Sequence, residues 1–231
     1  MTLSRFGRNC LMPFICLVLF LETGCSPASR SSLPPPAASA EPQTAETESE
    51  TGKEAEVPFT FYYQDDPQWA DYLYGGRDPM YKYGCGPTAM AMVVTNMTDT
   101  VVTPPGMADW AWENGYFSPG GGSAHALIPD AATAFGLNAE SLSIRTPEAL
   151  LTCLAYDKLL VLLMGPGQFT DGGHFILVYR ANEDGSVRIA DPISPEHNAQ
   201  DWDPAQLLDE LSTATDAGSP MWAISKKGLN G

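Results

Sequence analysis

The 231-residue chain has little cysteine and little positive charge. It contains five cysteines, and its 12 Lys and Arg residues face 28 Asp and Glu residues, which gives a formal net charge of −16 at pH 7. A chain this acidic has no basic patch to neutralise phosphates, which argues against nucleic acid as a partner. Cys85 and Cys153 are the only cysteines beyond position 25. Two cysteines are too few for the disulfide framework of a small secreted fold.

The apolar run near the N-terminus is short. It extends from Leu11 to Leu21, and these 11 residues fall below the roughly 20 that span a bilayer. Arg5 and Arg8 precede the run, and Glu22-Thr23-Gly24-Cys25 follows it. This order is similar to a lipoprotein-type secretory signal, although Glu22 stands where an apolar residue is usual. We expect a signal peptide over 1–25 with Cys25 lipidated; an ordinary cleaved signal and a short uncleaved anchor are the alternatives.

Residues 26–57 have no aromatic residue and consist largely of Pro, Ala, Ser, Thr and Glu. Such a segment buries too little apolar surface to offset its ordering entropy. Within it, residues 41–56 contain six Glu and one Lys, a balance of −6 + 1 = −5, and acidic segments repel themselves and extend. We therefore expect a disordered acidic tether between the membrane anchor and a folded domain.

Residues 58–231 remain for one domain of ordinary size. The pattern predicts helices in its first half and, in its second half, mainly strands bounded by Gly, Pro and Asn. The predicted helices are 85–95, 103–114, 124–135, one beginning at 146, and 204–211; the predicted strands are 59–63, 159–164, 174–179, 186–190 and 221–225. Helices first and an antiparallel sheet second indicate an α+β fold.

Cys85 carries the clearest chemical signal. It lies in Tyr83-Gly84-Cys85-Gly86-Pro87, where a helix begins. The positive end of a helix dipole favours the thiolate and lowers a thiol pKa, which suits a nucleophile. A small buried thiol is the alternative for any lone cysteine. We assign that structural role to Cys153, which lies in an apolar helical stretch; a disulfide between Cys85 and Cys153 would silence the nucleophile.

His174 and Asp191 are expected to be neighbours. His174 opens one predicted strand after two glycines, and Asp191 ends the next strand. Asn182-Glu183-Asp184-Gly185 predicts a hairpin turn, which places the start of one strand beside the end of the other. A carboxylate on one imidazole nitrogen leaves the other nitrogen for a thiol. Taken singly, the two residues are equally well read as a strand-edge histidine and a turn-forming aspartate.

These motifs together resemble a known family. Gln64 before a turn, Tyr-Gly-Cys-Gly-Pro-Thr-Ala at a helix start, Gly-Gly-His-Phe at a strand start and Ala-Asp-Pro at the next strand end are similar to the papain-like cysteine peptidases. The chain resembles their C39-like branch, stand-alone relatives of the double-glycine leader peptidases of bacteriocin exporters, over about Phe59 to Ser225. The resemblance implies a papain-like fold whose N-terminal helical half, with the nucleophile helix, packs against a C-terminal antiparallel sheet.

The resemblance also implies roles for four residues: Cys85 as nucleophile, His174 as base, Asp191 as orienting group and Gln64 as oxyanion-hole donor. A side-chain amide N–H is suited to donate to a tetrahedral oxyanion beside the Cys85 backbone N–H. On its own, Gln64 would be read as a polar turn residue. The exporter peptidases are followed by transporter helices and a Walker-type Gly-Lys-Ser/Thr loop, which this sequence lacks.

We therefore expect a membrane-tethered, extracytoplasmic cysteine peptidase with a Cys-His-Asp triad that cleaves peptide or isopeptide bonds. It is expected to act as a monomer on peptide or protein substrates, without a cofactor. His125, near a helix start, and His197, in a polar loop, are read as residues outside the triad. No histidine shows the spacing of a zinc ligand, so no metal is expected.

Two alternatives use the same sequence differently. An acyltransferase would employ the same triad but pass the acyl group to an amine instead of water. A catalytically silent module at the cell surface would bind peptide or cell wall through aromatic side chains. Trp69, Trp110, Trp112 and Tyr116 are the candidates for that contact area, and core packing is the other role open to them.

Overall fold

A five-stranded antiparallel sheet lies at the centre of the computed structural model, which describes residues 58–228. Two short ribbons precede it in the chain, and the strands of the sheet follow in the order β5-β9-β6-β7-β8. The ribbons are β1 (Leu73–Tyr74) with β2 (Asp78–Pro79) and β3 (Phe117–Ser118) with β4 (Gly122–Ser123); the sheet strands are β5 (Leu137–Ser141), β6 (Leu159–Met164), β7 (His174–Ala181), β8 (Val187–Ala190) and β9 (Met221–Lys226).

The described helices pack on both faces of this sheet. Thr103 and Thr146 each cap a helix that begins with Pro, as a side-chain acceptor followed by a residue without an N–H predicts. The helices are α1 (Met80–Tyr83), α2 (Cys85–Met97), α3 (Pro104–Glu113), α4 (Leu127–Ala134), α5 (Pro147–Ala155), α6 (Pro195–Asn198) and α7 (Pro204–Asp209). Among residues 58–228, no helix combines the length and the apolar character needed to cross a bilayer.

Strand β6 separates two hydrophobic cores. Val161 and Leu163 face the core built with α2, α3 and α4, whereas Leu160, Leu162 and Met164 face the core built with α5 and α7. A strand covered on both faces needs apolar side chains at every position, which explains the uninterrupted apolar run of this segment. Helix α2 is likewise buried nearly all round. It packs against β7, and this contact joins the N-terminal helices to the sheet.

The α+β prediction is confirmed, with the helix that begins at Cys85 packed against a C-terminal antiparallel sheet. The hairpin prediction is confirmed as well, since β7 and β8 pair antiparallel and the Gly185 N–H donates to the Asn182 carbonyl at 3.1 Å. The predicted signal over 1–25, the lipidation of Cys25 and the tether over 26–57 lie outside the described residues.

The predicted strand over 59–63 is wrong. Phe59 and Phe61 pack their rings against Tyr179, with ring centroids 4.3 and 5.7 Å away. The main chain of Thr60 is bonded by the Asn96 side chain of α2, which accepts from its N–H at 2.7 Å and donates to its carbonyl at 2.9 Å. A helix side chain thus satisfies the backbone groups that a neighbouring strand would otherwise pair.

Two further elements differ from the sequence prediction. Helix α4 begins at Leu127 rather than Ala124, because Ser123 still pairs in β4 and the next residues form a tight turn, in which the Leu127 N–H donates to the Ala124 carbonyl at 3.0 Å. The sequence does not predict strand β5, since Leu-Asn-Ala-Glu-Ser has neither β-branched residues nor a clear alternation. The strand forms by pairing with β9, which therefore lies between β5 and β6 inside the sheet.

We expect Leu162→Ala to lower the free energy of unfolding by about 2–5 kcal/mol. Leu162 is fully buried in the middle strand of the sheet, so its truncation leaves a cavity in the core. The measurement is urea unfolding followed by circular dichroism. Leu73→Ala is the matched control, since Leu73 is 48% exposed and its truncation should change stability by less than about 1 kcal/mol. Equal losses in the two variants would contradict this placement of the core.

Candidate active site

Cys85 is the first residue of α2, and its half-buried thiol is not in a disulfide. Close packing explains the glycine on each side. A Cβ at Gly84 would lie 2.6 Å from the Met80 carbonyl oxygen, and a Cβ at Gly86 would lie 2.8 Å from Ser123 Oγ. The helix start therefore fits between α1 and β4 only when both neighbours of Cys85 lack side chains.

The hairpin of β7 and β8 brings His174 and Asp191 together at one end of the sheet. His174 is the first residue of β7, and Asp191 directly follows β8. His174 Nε2 lies 2.7 Å from Asp191 Oδ1, which is hydrogen-bond distance. Both side chains are buried, Asp191 completely. The pairing leaves Nδ1 as the ring nitrogen of His174 that is available to a thiol.

Residues shortly after Asp191 in the chain form hydrogen bonds to it. Asn198, the last residue of α6, accepts from the Asp191 backbone N–H at 2.6 Å and donates to the Asp191 carbonyl at 3.1 Å. The Ile193 N–H donates to Asp191 Oδ1 at 3.0 Å. His197 Nδ1 lies 2.7 Å from Asp191 Oδ2. These bonds satisfy both the main chain and the carboxylate of a residue that has no solvent-exposed surface.

The interpretation of His197 as a residue of a polar loop is therefore incomplete, because α6 turns its ring onto Asp191. Sequence reasoning identifies neither His197 nor Asn198 as part of the site. The signal that could find them is Ser194-Pro195-Glu196: a capping Ser, a Pro at the first helical position and an acidic residue in the first turn predict a helix start. A helix that starts there places the residues of its first turn next to Asp191, at the end of β8.

The electrostatics of the site favour a charged Cys85–His174 pair. Burial by itself raises the pKa of the Cys85 thiol, but the hydrogen bond and charge of the His174 ring, with the Phe175 and Gly86 backbone N–H groups, lower it below its ordinary value. Burial by itself lowers the pKa of His174, yet its hydrogen bonds to Asp191 and Cys85 raise that pKa to about 10. At neutral pH this favours a thiolate facing an imidazolium.

Asp191 stays ionised although it is buried. Burial raises the pKa of its carboxyl group, but the hydrogen bonds and charge of His174 and the hydrogen bond of His197 bring that pKa below its ordinary value. A carboxylate that accepts several N–H bonds retains its charge even away from solvent. The imidazolium of His174 therefore has a fixed anion behind it.

Gln64 is buried at the edge of this site. Its backbone N–H donates to the Pro192 carbonyl at 2.7 Å, which attaches it to the residue after Asp191. Its Nε2 donates to the Tyr81 carbonyl at 2.8 Å, and its Oε1 is buried without a hydrogen-bond partner among the described residues. An amide nitrogen has two N–H donors, so one N–H remains for a further acceptor.

Among the described residues, His125 and Cys153 are not hydrogen-bonded to the triad, although the His125 ring packs edge-on against Phe175, with ring centroids 6.0 Å apart. His125 Nδ1 is 3.0 Å from Asp216 Oδ1, so this histidine pairs with a different carboxylate. Cys153 lies in the core on the other face of the sheet, and burial raises its thiol pKa. Within residues 58–228, no group of three His, Cys, Asp or Glu side chains is arranged to hold a metal ion.

Comparisons with known proteins give one family and several similar structures. The model of the Peptidase_C39 like family matches residues 56–216, and the predicted papain-like fold is confirmed by this match. The peptidase domain of Streptococcus ComA, a bifunctional ABC transporter involved in quorum sensing, has 16% identity and a TM-score of 0.46, over 63% of this chain and 93% of that one.

A putative C39-like peptidase from Bacillus anthracis has 15% identity and a TM-score of 0.45, with 63% of this chain and 90% of that chain covered. The N-terminal C39-like domain of the toxin secretion ATP-binding protein from Vibrio parahaemolyticus has 16% identity and a TM-score of 0.40, with 62% and 97% covered. No curated protein matches the chain.

Alkylation by iodoacetamide is expected to separate the two described thiols. Because the thiolate reacts and the pKa of Cys85 is lowered, its rate should reach half of its plateau below about pH 8.5, the ordinary thiol value. The raised pKa of Cys153 should keep its rate low and still rising above that pH. Mass spectrometry of the two peptides measures both rates; a Cys85 midpoint at or above that of Cys153 would contradict the charged pair.

Proposed function

Because the chain belongs to the Peptidase_C39 like family, we propose that it is a cysteine peptidase that cleaves peptide or isopeptide bonds. Cys85 is the nucleophile, His174 the general base and acid, and Asp191 the orienting group. The observation that carries this assignment is the 2.7 Å contact between His174 Nε2 and the buried Asp191 carboxylate, at the sheet end where His174 also lowers the pKa of the Cys85 thiol.

In the proposed reaction the Cys85 thiolate attacks the substrate carbonyl carbon, and the C=O electron pair moves to oxygen. When the tetrahedral species collapses, the C–N bond breaks, and the leaving amine takes a proton from His174 Nδ1. The same nitrogen then removes a proton from water, whose oxygen attacks the thioester. Collapse of the second tetrahedral species releases the carboxylic acid and restores the thiolate–imidazolium pair.

Two N–H groups serve the oxyanion in this proposal. One is the backbone N–H of Cys85, which is among the N–H groups of the first turn that have no partner inside the helix. The other is the second N–H of the Gln64 amide, whose first N–H donates to the Tyr81 carbonyl. That bond and the Gln64–Pro192 backbone bond hold the amide in one orientation. Loss of such a donor typically lowers the rate by ~10²–10³.

The aromatic side chains favour the enzyme over a silent binding module. Trp110 stacks on Tyr116 at 5.6 Å between ring centroids, and Trp69 Nε1 donates to the Tyr63 carbonyl at 2.7 Å. Of the four aromatic residues assigned to the module, only Trp112 is more than half exposed, at 52%. Acyl transfer shares every step up to the thioester, and the acceptor decides between it and hydrolysis.

We expect Cys85→Ala and His174→Ala to lower peptide cleavage by at least about a thousandfold, because triad residues act as a unit. A complex peptide mixture, with new termini read by mass spectrometry, offers substrates for whatever sequence the enzyme prefers. Cys153→Ala is the matched control and should retain activity. Cleavage by Cys85→Ala at the wild-type rate would refute the nucleophile, and wild-type protein that cleaves nothing would favour the silent module.

The enzyme acts outside the cytoplasm, attached to a membrane by lipid on Cys25. The sequence supports this part of the proposal: a charged head, a short apolar run and Thr23-Gly24-Cys25, then an acidic segment rich in Pro. A single acyl chain binds membranes only marginally, so firm attachment requires two or more chains.

In a membrane fraction, wild-type protein is expected to sediment with lipid, and Cys25→Ala is expected to remain unprocessed or to appear in the soluble fraction. Cys16→Ala is the matched control, because it removes a cysteine from the same N-terminal segment without changing residue 25. Immunoblots of both fractions and the mass of the mature N-terminus give the answer. A soluble mature wild-type protein that begins at another residue would contradict the lipid anchor.

A further inference from the structure

Two imidazole rings share one buried carboxylate at the end of the sheet. His174 Nε2 lies 2.7 Å from Asp191 Oδ1, and His197 Nδ1 lies 2.7 Å from Asp191 Oδ2. We propose that His197 is a positioning residue of the triad, which holds the second oxygen of Asp191 so that the first stays on His174. This inference rests on the proposed function, because it concerns the same site.

The two oxygens of Asp191 are supported unequally. Oδ1 is bonded to the His174 ring and accepts from the Ile193 N–H, whereas among the described residues His197 alone supplies a hydrogen bond to Oδ2. Asp191 is fully buried beneath a His197 side chain that is itself 23% exposed, so water is kept from Oδ2 as long as a bulky side chain stands at 197. A buried charged oxygen without a partner is unfavourable, and the carboxylate would then rotate or take up a proton.

The ring of His197 is itself held in place. Its backbone N–H donates to the Oγ of Ser194, and its carbonyl accepts from Trp202 Nε1 at 3.0 Å. The imidazole makes edge contacts with the rings of Phe169 and Trp202, at 5.1 and 5.5 Å between centroids. These contacts leave Nδ1 fixed towards Asp191, as a positioning role requires.

The contact with Asp191 determines which ring nitrogen of His197 is the donor. An ionised carboxylate only accepts hydrogen bonds, so Nδ1 of His197 carries a proton. Two other charged groups lie nearby: Glu196 on the same helix, which accepts from Ser194 Oγ, and Arg188 of β8, which donates to the Asn198 carbonyl. Neither reaches Oδ2 of Asp191, so neither substitutes for His197.

The test compares two variants of the full chain. His197→Phe keeps a ring between Phe169 and Trp202 but removes the donor. His197→Asn restores a donor, since its amide nitrogen is as many bonds from Cα as Nδ1. The readout is the pH profile of Cys85 alkylation by iodoacetamide, because a less firmly held Asp191 stabilises the imidazolium less and the thiolate then forms at higher pH.

For His197→Phe we expect the midpoint of the Cys85 alkylation profile to rise by about one pH unit. Loss of a hydrogen bond to a charged group corresponds to a pKa change of about this size. His197→Asn should recover most of this shift. His125→Phe is the matched control: it makes the same change at a histidine that pairs with Asp216 and should leave the midpoint in place. A wild-type midpoint in His197→Phe, or an equal shift in His197→Asn, would overturn the positioning role.

A second comparison tests whether His197 acts on Cys85 alkylation through Asp191. In an Asp191→Asn background, His197→Phe should add no further shift, because its action passes through the carboxylate; an additive shift would overturn the inference. If His197→Phe does not fold, His197→Leu replaces it, because a bulky apolar side chain also removes the donor and still covers the Asp191 carboxylate. Wild-type Cys85 that labels no faster than Cys153 would instead refute the proposed function, so the two failures are distinguishable.

Discussion

A carboxylate loses several kcal/mol of hydration when it is buried, and it keeps its charge only if protein donors replace the water. Asp191 is such a group, with no exposed surface and with bonds from His174, His197 and the Ile193 N–H. Its negative charge holds a proton on His174, and the imidazolium in turn stabilises a thiolate at Cys85. The chemistry proposed for the chain therefore depends on how firmly one buried anion is held.

The fold supplies the parts of this arrangement from distant positions. Helix α2 brings Cys85 to the sheet because its side chains are apolar nearly all round and pack against β7. The β7–β8 hairpin sets His174 beside Asp191, and α6 closes over the strand end with His197 and Asn198. Gln64 joins from the N-terminal segment through the Pro192 carbonyl. These contributions rest largely on packing and on backbone hydrogen bonds, and the contact of α6 also uses the Asp191 carboxylate.

Local patterns are sufficient to predict the hairpin, strand β6 and the proximity of His174 to Asp191, because adjacent strands and a short turn leave few alternatives. They fail where a distant partner decides the outcome. Asn96 satisfies the backbone of Thr60, so 59–63 forms no strand, and β9 recruits β5 despite its weak β propensity. The sequence does not predict the contact of His197 with Asp191, because this contact depends on how α6 packs against the end of β8.

The charge of His174 at mildly alkaline pH is the quantity that tests the charged pair most directly. ¹⁵N NMR of the imidazole in uniformly labelled protein, assigned with a His174→Gln variant, distinguishes the imidazolium from the neutral ring. With a pKa of about 10, the ring should still carry both protons at about pH 8, and Cys85→Ala should lower that pKa. A neutral His174 at about pH 8 in the wild-type protein would contradict the thiolate–imidazolium pair.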